Sequence, residues 1–143
     1  MRVVVWIEES SWEACVDRVR SLVPDSAEVS LLHVSAGDVQ ELVEHPGPGR
    51  LGRHRAPPGP PVRAISEAEA QGLLADAKAR LGRSAELVAR RGRVEREVVA
   101  AAAGADLLVL ARNGEPRPGP PSIGHRARFV VDHAGCDVVL VWS

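Results

Sequence analysis

The residues of this chain best suited to chemistry lie in its last third. An apolar run, Asp106-Leu-Leu-Val-Leu110, leads into Ala111-Arg-Asn-Gly114, and after nine further residues Gly124-His125 opens a helical pattern. A glycine-edged turn between a buried strand and a helix N-terminus points backbone N–H groups at an anion, the arrangement that cradles phosphate. Arg112, His125 and Arg126 stand beside it and could add charge-assisted hydrogen bonds. Because histidine changes charge between about pH 5 and 8, a phosphate contact from His125 would be stronger in mild acid. The competing reading makes Gly114 and Gly124 a turn glycine and a helix-entry glycine, and His125 an exposed first-turn residue.

Other titratable groups point away from catalysis. Glu8 and Glu9 are adjacent at the end of the first apolar run, so their side chains diverge and they do not form a carboxylate pair. Glu8 is read from its position alone as a polar strand end, a ligand contact or a solvated carboxylate. His33 sits within an apolar strand, with no activated serine or cysteine beside it, and reads as a satisfied core histidine. Cys15 and Cys136 are far apart and lack any CxxC or zinc-like spacing, so both are expected to be reduced, packed thiols, with no metal site and no disulfide. No catalytic residue is assigned, and the chain is expected to bind ligands without being an enzyme.

Length and charge narrow the class further. A chain of 143 residues fits one domain, and a domain of about this size buries roughly 68–70% of its unfolded surface. With 18 basic and 19 acidic residues the net charge is −1, so the field that drives non-specific nucleic-acid binding is missing and no nucleic-acid partner is expected. Met1 to Ile7 is too short for a signal-peptide core and runs straight into Glu8 and Glu9. No apolar run approaches membrane-spanning length. A cytoplasmic protein without a membrane partner is expected. Lys78 is the sole lysine among many arginines, and with the abundance of Ala, Gly and Pro this suggests a high-GC bacterial source.

The elements that must position these residues follow from the apolar pattern. Met1–Ile7 reads as a strand buried on both faces. Ser10-Ser-Trp-Glu13 has capping-box spacing and starts a helix that carries Cys15, Val19 and Leu22 and stops before Pro24. Glu28–Val34 is a second strand. From Ser35 to Arg63, six prolines and five glycines accompany Arg50, Arg53, His54 and Arg55; the segment, taken as about 35–65, reads as a long loop whose cations are solvated or form an anion patch. A second capping box, Ser66-Glu-Ala-Glu69, opens a helix with Ala70, Leu73, Leu74, Ala77 and Leu81 on one face and Gly82 as its C-cap. Then come a strand over Ala85–Ala89, a helix over Val94–Ala103, a strand over Asp106–Leu110, a helix over Ile123–Ala134 and a strand over Cys136–Trp142. Alternating strands and helices imply right-handed crossovers and an open, doubly wound five-stranded parallel α/β sheet with helices on both faces.

Several of these stretches, in this order, resemble the universal stress protein family: Glu8-Glu-Ser10 after the first strand, Leu31-Leu-His-Val34 ending the second, Arg90-Arg-Gly-Arg93 before the third helix, Ala105–Leu110, and Gly124 through Val141. The resemblance covers nearly all of the chain apart from the Pro/Gly loop. It implies strand order 3-2-1-4-5, a regulatory role, and an adenine nucleotide, ATP or a related mononucleotide such as cAMP, bound between the first and fourth strands. The family's nucleotide motif, G, two residues, G, nine residues, G and a hydroxyl, falls on Ala111, Gly114, Gly124 and His125. Its spacing is kept while the first glycine is alanine and the hydroxyl is histidine. Glu8, Ser10 and the backbone of Val34 would border the adenosine. Pro116, Pro118, Pro120 and Pro121 make the intervening loop stiff and poor in N–H donors. The Ala111 methyl either blocks a phosphate or, with φ below zero, is harmless. The resemblance also implies a homodimer through the last strand, Asp137 to Trp142. The alternative is a dimeric interaction protein of the same fold that binds no nucleotide.

Overall fold

The computed structural model describes residues 1–37, 62–113 and 116–143, with side chains of 62–66 excepted. The elements are β1 (Arg2–Trp6), α1 (Trp12–Leu22), β2 (Glu28–Ala36), α2 (Val62–Leu81), β3 (Glu86–Gly92), α3 (Val94–Ala101), β4 (Leu107–Arg112), α4 (His125–His133) and β5 (Asp137–Trp142). The five strands form one parallel sheet in the order β3-β2-β1-β4-β5, as the resemblance implied.

Strand β1 is central and covered on both faces, which is why its sequence is continuously apolar. Val3, Val5 and Ile7 pack on one side with Cys15, Val16 and Val19 of α1 and Leu74, Ala77 and Leu81 of α2. Val4 and Trp6 pack on the other with Val94 and Val98 of α3 and Val130 of α4. Each fully buried aliphatic side chain of this kind contributes about 1.5–3 kcal/mol. Helix α2 ends where expected: Gly82 adopts φ +71, and its N–H reaches the Lys78 carbonyl at 3.1 Å. On the outer surface Arg80 grips Asp17 with two bonds of 2.9 and 2.7 Å, tying α2 to α1 and holding the Asp17 carboxyl below its usual range.

Several element boundaries differ from the sequence reading. The Ser10/Glu13 capping box does not form: the Glu8 carbonyl accepts N–H bonds from both Ser11 and Trp12, so the cap moves to Ser11 and makes no side-chain bond. Helix α2 starts at Val62, before the expected box at Ser66, because Val62-Arg-Ala-Ile65 contains no helix breaker. Ser35 and Ala36 belong to β2, paired with Arg91 and Gly92, and not to the loop expected over 35–65, most of which lies outside the described residues with Arg50, Arg53, His54 and Arg55. Strand β3 runs three residues beyond Ala89 for the same reason. Ala111 and Arg112 extend β4 because their partners on β5, Val141 and Trp142, continue the ladder.

His33 is a satisfied histidine, its Nδ1–H donating to the Ile7 carbonyl at 2.8 Å. No helix among the described residues is long and apolar enough to cross a membrane. Leu74 is fully buried between α2 and the sheet. Leu74→Ala is expected to lower unfolding stability by about 2–5 kcal/mol, read as a reduced urea midpoint with an unchanged slope.

Candidate functional site

In an open parallel sheet the ligand crevice lies beyond the carboxyl ends of the strands where the order reverses. Here that point falls between β1 and β4, neighbours in the sheet whose chains then proceed in opposite directions. A crevice of about 350 Å³ opens there. Trp6, Glu8 and Ala111 line it from the strand ends, Asn113 and Ser122 from the β4–α4 connection, and Gly124, His125 and Arg126 from the start of α4. Hollows of about 410 and 520 Å³ lie elsewhere, one around Arg83 and Glu86 at the amino ends of the strands, the other between α2 and the end of β3. Neither combines a strand carboxyl end, a helix start and a glycine entry.

Glu8 is placed by the turn that launches α1, its carbonyl accepting from Ser11 at 3.2 Å and Trp12 at 3.0 Å. Its half-buried carboxyl is pushed above its ordinary pKa by desolvation, an effect that the charges of Arg126 and His33 partly offset. A carboxylate short of water and without a tight ion pair is suited to accept hydrogen bonds from a neutral donor such as a sugar hydroxyl. It also raises the pKa of the buried Cys15 thiol, though burial contributes more, and that thiol is pushed up to about 12.

The far wall is held by Arg112. Its guanidinium donates to Ser122 Oγ from Nε at 3.0 Å and Nη2 at 2.6 Å, and lies 4.0 Å over the Trp142 ring. The Asn113 N–H donates to the Ser122 carbonyl at 2.8 Å, closing the connection from the other side. Ser143 joins the same knot through Asn113 Oδ1 at 2.9 Å and the Arg112 carbonyl.

Gly124 caps α4 with φ −80 and ψ −176, a conformation open to any residue. A methyl built on its Cα would meet no protein atom within 4 Å. Neither backbone strain nor packing within the chain therefore demands glycine there. His125 and Arg126 follow on the exposed first turn, with Arg126 Nε 4.0 Å from Glu95 Oε2.

Of the expected site residues, the structure brings together Glu8, Ala111, Gly124, His125 and Arg126. Ala111 is buried within β4 and lines the crevice, and no non-glycine among the described residues has a positive φ, so the alanine sits there without backbone strain. Arg112 does not line the crevice because Ser122 and Trp142 hold its guanidinium. Ser10 is exposed on the turn before α1, and Val34 is buried in β2 opposite Arg90; neither borders the crevice. Gly114 lies outside the described residues. Sequence reasoning missed Trp6, Asn113 and Ser122. Ser122, two residues before the helix glycine, was the available signal, a hydroxyl standing beside the position where His125 replaces one. Cys15 and Cys136 are free, and no cluster of three or more His, Cys, Asp or Glu side chains fit for a metal occurs among the described residues.

The sheet order defines a doubly wound α/β protein with a crevice at the switch point. More particularly, its fold is that of the universal stress proteins. A universal stress protein in complex with cAMP superposes with TM-score 0.66 at 19% identity, over 99% of this chain and 96% of the other. A universal stress protein family protein from Arabidopsis thaliana with AMP bound gives 0.62 at 17%, over 99% and 91%, and the hypothetical protein MJ0577 gives 0.71 at 17%, over 99% and 95%. The sequence matches no protein-family model and no curated protein.

The raised Glu8 pKa makes a stability prediction. The folded protein holds this proton to higher pH than the unfolded chain, so stability falls as pH rises from the ordinary value of 4.5 through the raised one. Glu8→Gln is expected to be more stable than the parent at pH 7 and equal to it near pH 4 in urea unfolding; an equal gap at both pH values would contradict this origin.

Proposed function

We propose that this protein is a universal-stress-protein-like regulatory protein whose β1/β4 crevice binds an adenine nucleotide. Gly124 carries the reading: a helix-cap glycine that the fold does not need, bordering a crevice, is what close approach of a ligand to the backbone requires. The first-turn N–H groups of α4, with His125 and Arg126 beside them, suit the phosphate end. Glu8 suits the ribose. The AMP and cAMP held by two proteins of the same fold support the ligand class.

Mass spectrometry of the small molecule released from natively purified protein is expected to find an adenine nucleotide. Gly124→Asp separates ligand from fold. Aspartate caps helices at least as well as glycine, so stability should stay within about 0.5 kcal/mol, while its charge opposes phosphate and nucleotide affinity should fall at least about tenfold in calorimetry. Loss of stability without loss of affinity would count against the reading.

The second part of the proposal is a homodimer through β5. Among the described residues this strand lies at the sheet edge, with no strand partner on one side of its backbone, and Trp142 is 38% exposed on it. Two-fold antiparallel pairing would set copies of the central residue close together. Val139→Lys therefore places like charges opposite each other, and sedimentation is expected to shift from dimer to monomer, with some loss of stability in urea unfolding because Val139 also packs against the core.

A further inference from the structure

We infer that the crevice selects a nucleoside monophosphate over the corresponding triphosphate. The inference rests on the nucleotide reading above and concerns which phosphates that same site can hold.

Among the described residues, the donors at the end of β4 that a phosphate chain would need are committed elsewhere, and the connection that follows is poor in them. Arg112, the cation at the end of β4, spends its guanidinium on Ser122 Oγ at 3.0 and 2.6 Å and on the Trp142 ring. The Asn113 N–H is bound to the Ser122 carbonyl at 2.8 Å. Along the exposed connection that follows, Pro116, Pro118, Pro120 and Pro121 have no N–H, and the side chain of Arg117 already has an interaction partner. A nucleotide-phosphate loop works by presenting successive backbone N–H groups to successive phosphates. The described part of this one, residues 116–123, has proline at four of its eight positions.

Among the described residues the start of α4 is the anchoring point best placed for a phosphate. Its first-turn N–H groups have no partners within the helix, and His125 and Arg126 flank them. A helix N-terminus is equivalent to roughly +0.5 charge, and a single phosphate monoester carries about −1.5 to −2 at pH 7. The two match within what one helix turn and one or two cations supply. Additional phosphates would bring further negative charge where Arg126 is already drawn toward Glu95 and Glu8 adds a carboxylate to the crevice. Size points the same way: at about 350 Å³ the crevice sits near the lower end of ordinary ligand sites, which run from roughly 300 to 1,000 Å³. The nucleotides in the two ligand-bound proteins of this fold, AMP and cAMP, each carry one phosphate.

The experiment is calorimetric titration of the full chain with adenosine, AMP, ADP and ATP at one ionic strength, with a Pro118→Ser/Pro120→Ser/Pro121→Ser variant alongside. AMP is expected to bind at least about tenfold tighter than ATP, with ADP between them. The variant, which restores three N–H donors on an exposed segment, is expected to gain ATP affinity and keep that for AMP. ATP binding as tightly as AMP to the parent overturns the inference and leaves the adenine-nucleotide reading standing. Adenosine binding as tightly as AMP also overturns it, since the phosphate then contributes nothing. Silence from all four ligands, in heat and in thermal shift, overturns the nucleotide reading and this inference with it.

Discussion

Strand β1 makes backbone pairs on both sides, with β2 and with β4, and buries side chains on both faces. No other arrangement would let so short a run of Val, Trp and Ile escape water entirely. Because β1 lies at the middle, the chain must leave it toward β2 and return to its other flank at β4, and the reversal of direction opens a gap between the two crossovers. The crevice is therefore a geometric result of burying β1, and the residues just past its end, Glu8 above all, are delivered there by the fold itself. Trp6 shows how tightly the two are joined, being 2% exposed, part of the α3/α4 core and a wall of the crevice.

The electrostatics of the crevice are economical. Burial makes the Glu8 charge costly, Arg126 relieves part of that cost, and Arg126 is itself shared with Glu95. Among the residues that line the crevice, Arg126 is the one arginine and the start of α4 is the one helix terminus. Such a site depends on backbone geometry more than on side-chain charge. A glycine that neither conformation nor packing requires fits that design, since it leaves the N–H groups of α4 open to close approach.

Periodicity made the order of elements legible, since β1, β2, β4 and β5 are near-continuous apolar runs and Ala70, Leu74, Ala77 and Leu81 repeat at helical spacing. Strand order came from the family resemblance, because parallel strands carry no turn signal that names their neighbours. Boundaries were less legible where long-range pairing decides them: Ala111 and Arg112 look like loop residues until Val141 and Trp142 extend the ladder beside them. The capping box at Ser10 was misleading for a related reason, since the Glu8 carbonyl, invisible to side-chain patterns, takes the first two N–H groups. At the site, Glu8, Gly124, His125 and Arg126 could be found from type and position. The role of Arg112 could not, because its partners Ser122 and Trp142 lie ten and thirty residues away and charge alone suggested a ligand.

Arg112 gives the molecule a mechanical property as well. Its guanidinium is a strut with one end on Ser122 in the crevice wall and the other on Trp142 at the outermost strand, and Ser143 braces the joint through Asn113. The sheet edge and the crevice wall thus share one connector, the side chain of Arg112. Removing that side chain would take a contact from the outermost strand and two hydrogen bonds from the crevice wall in a single substitution.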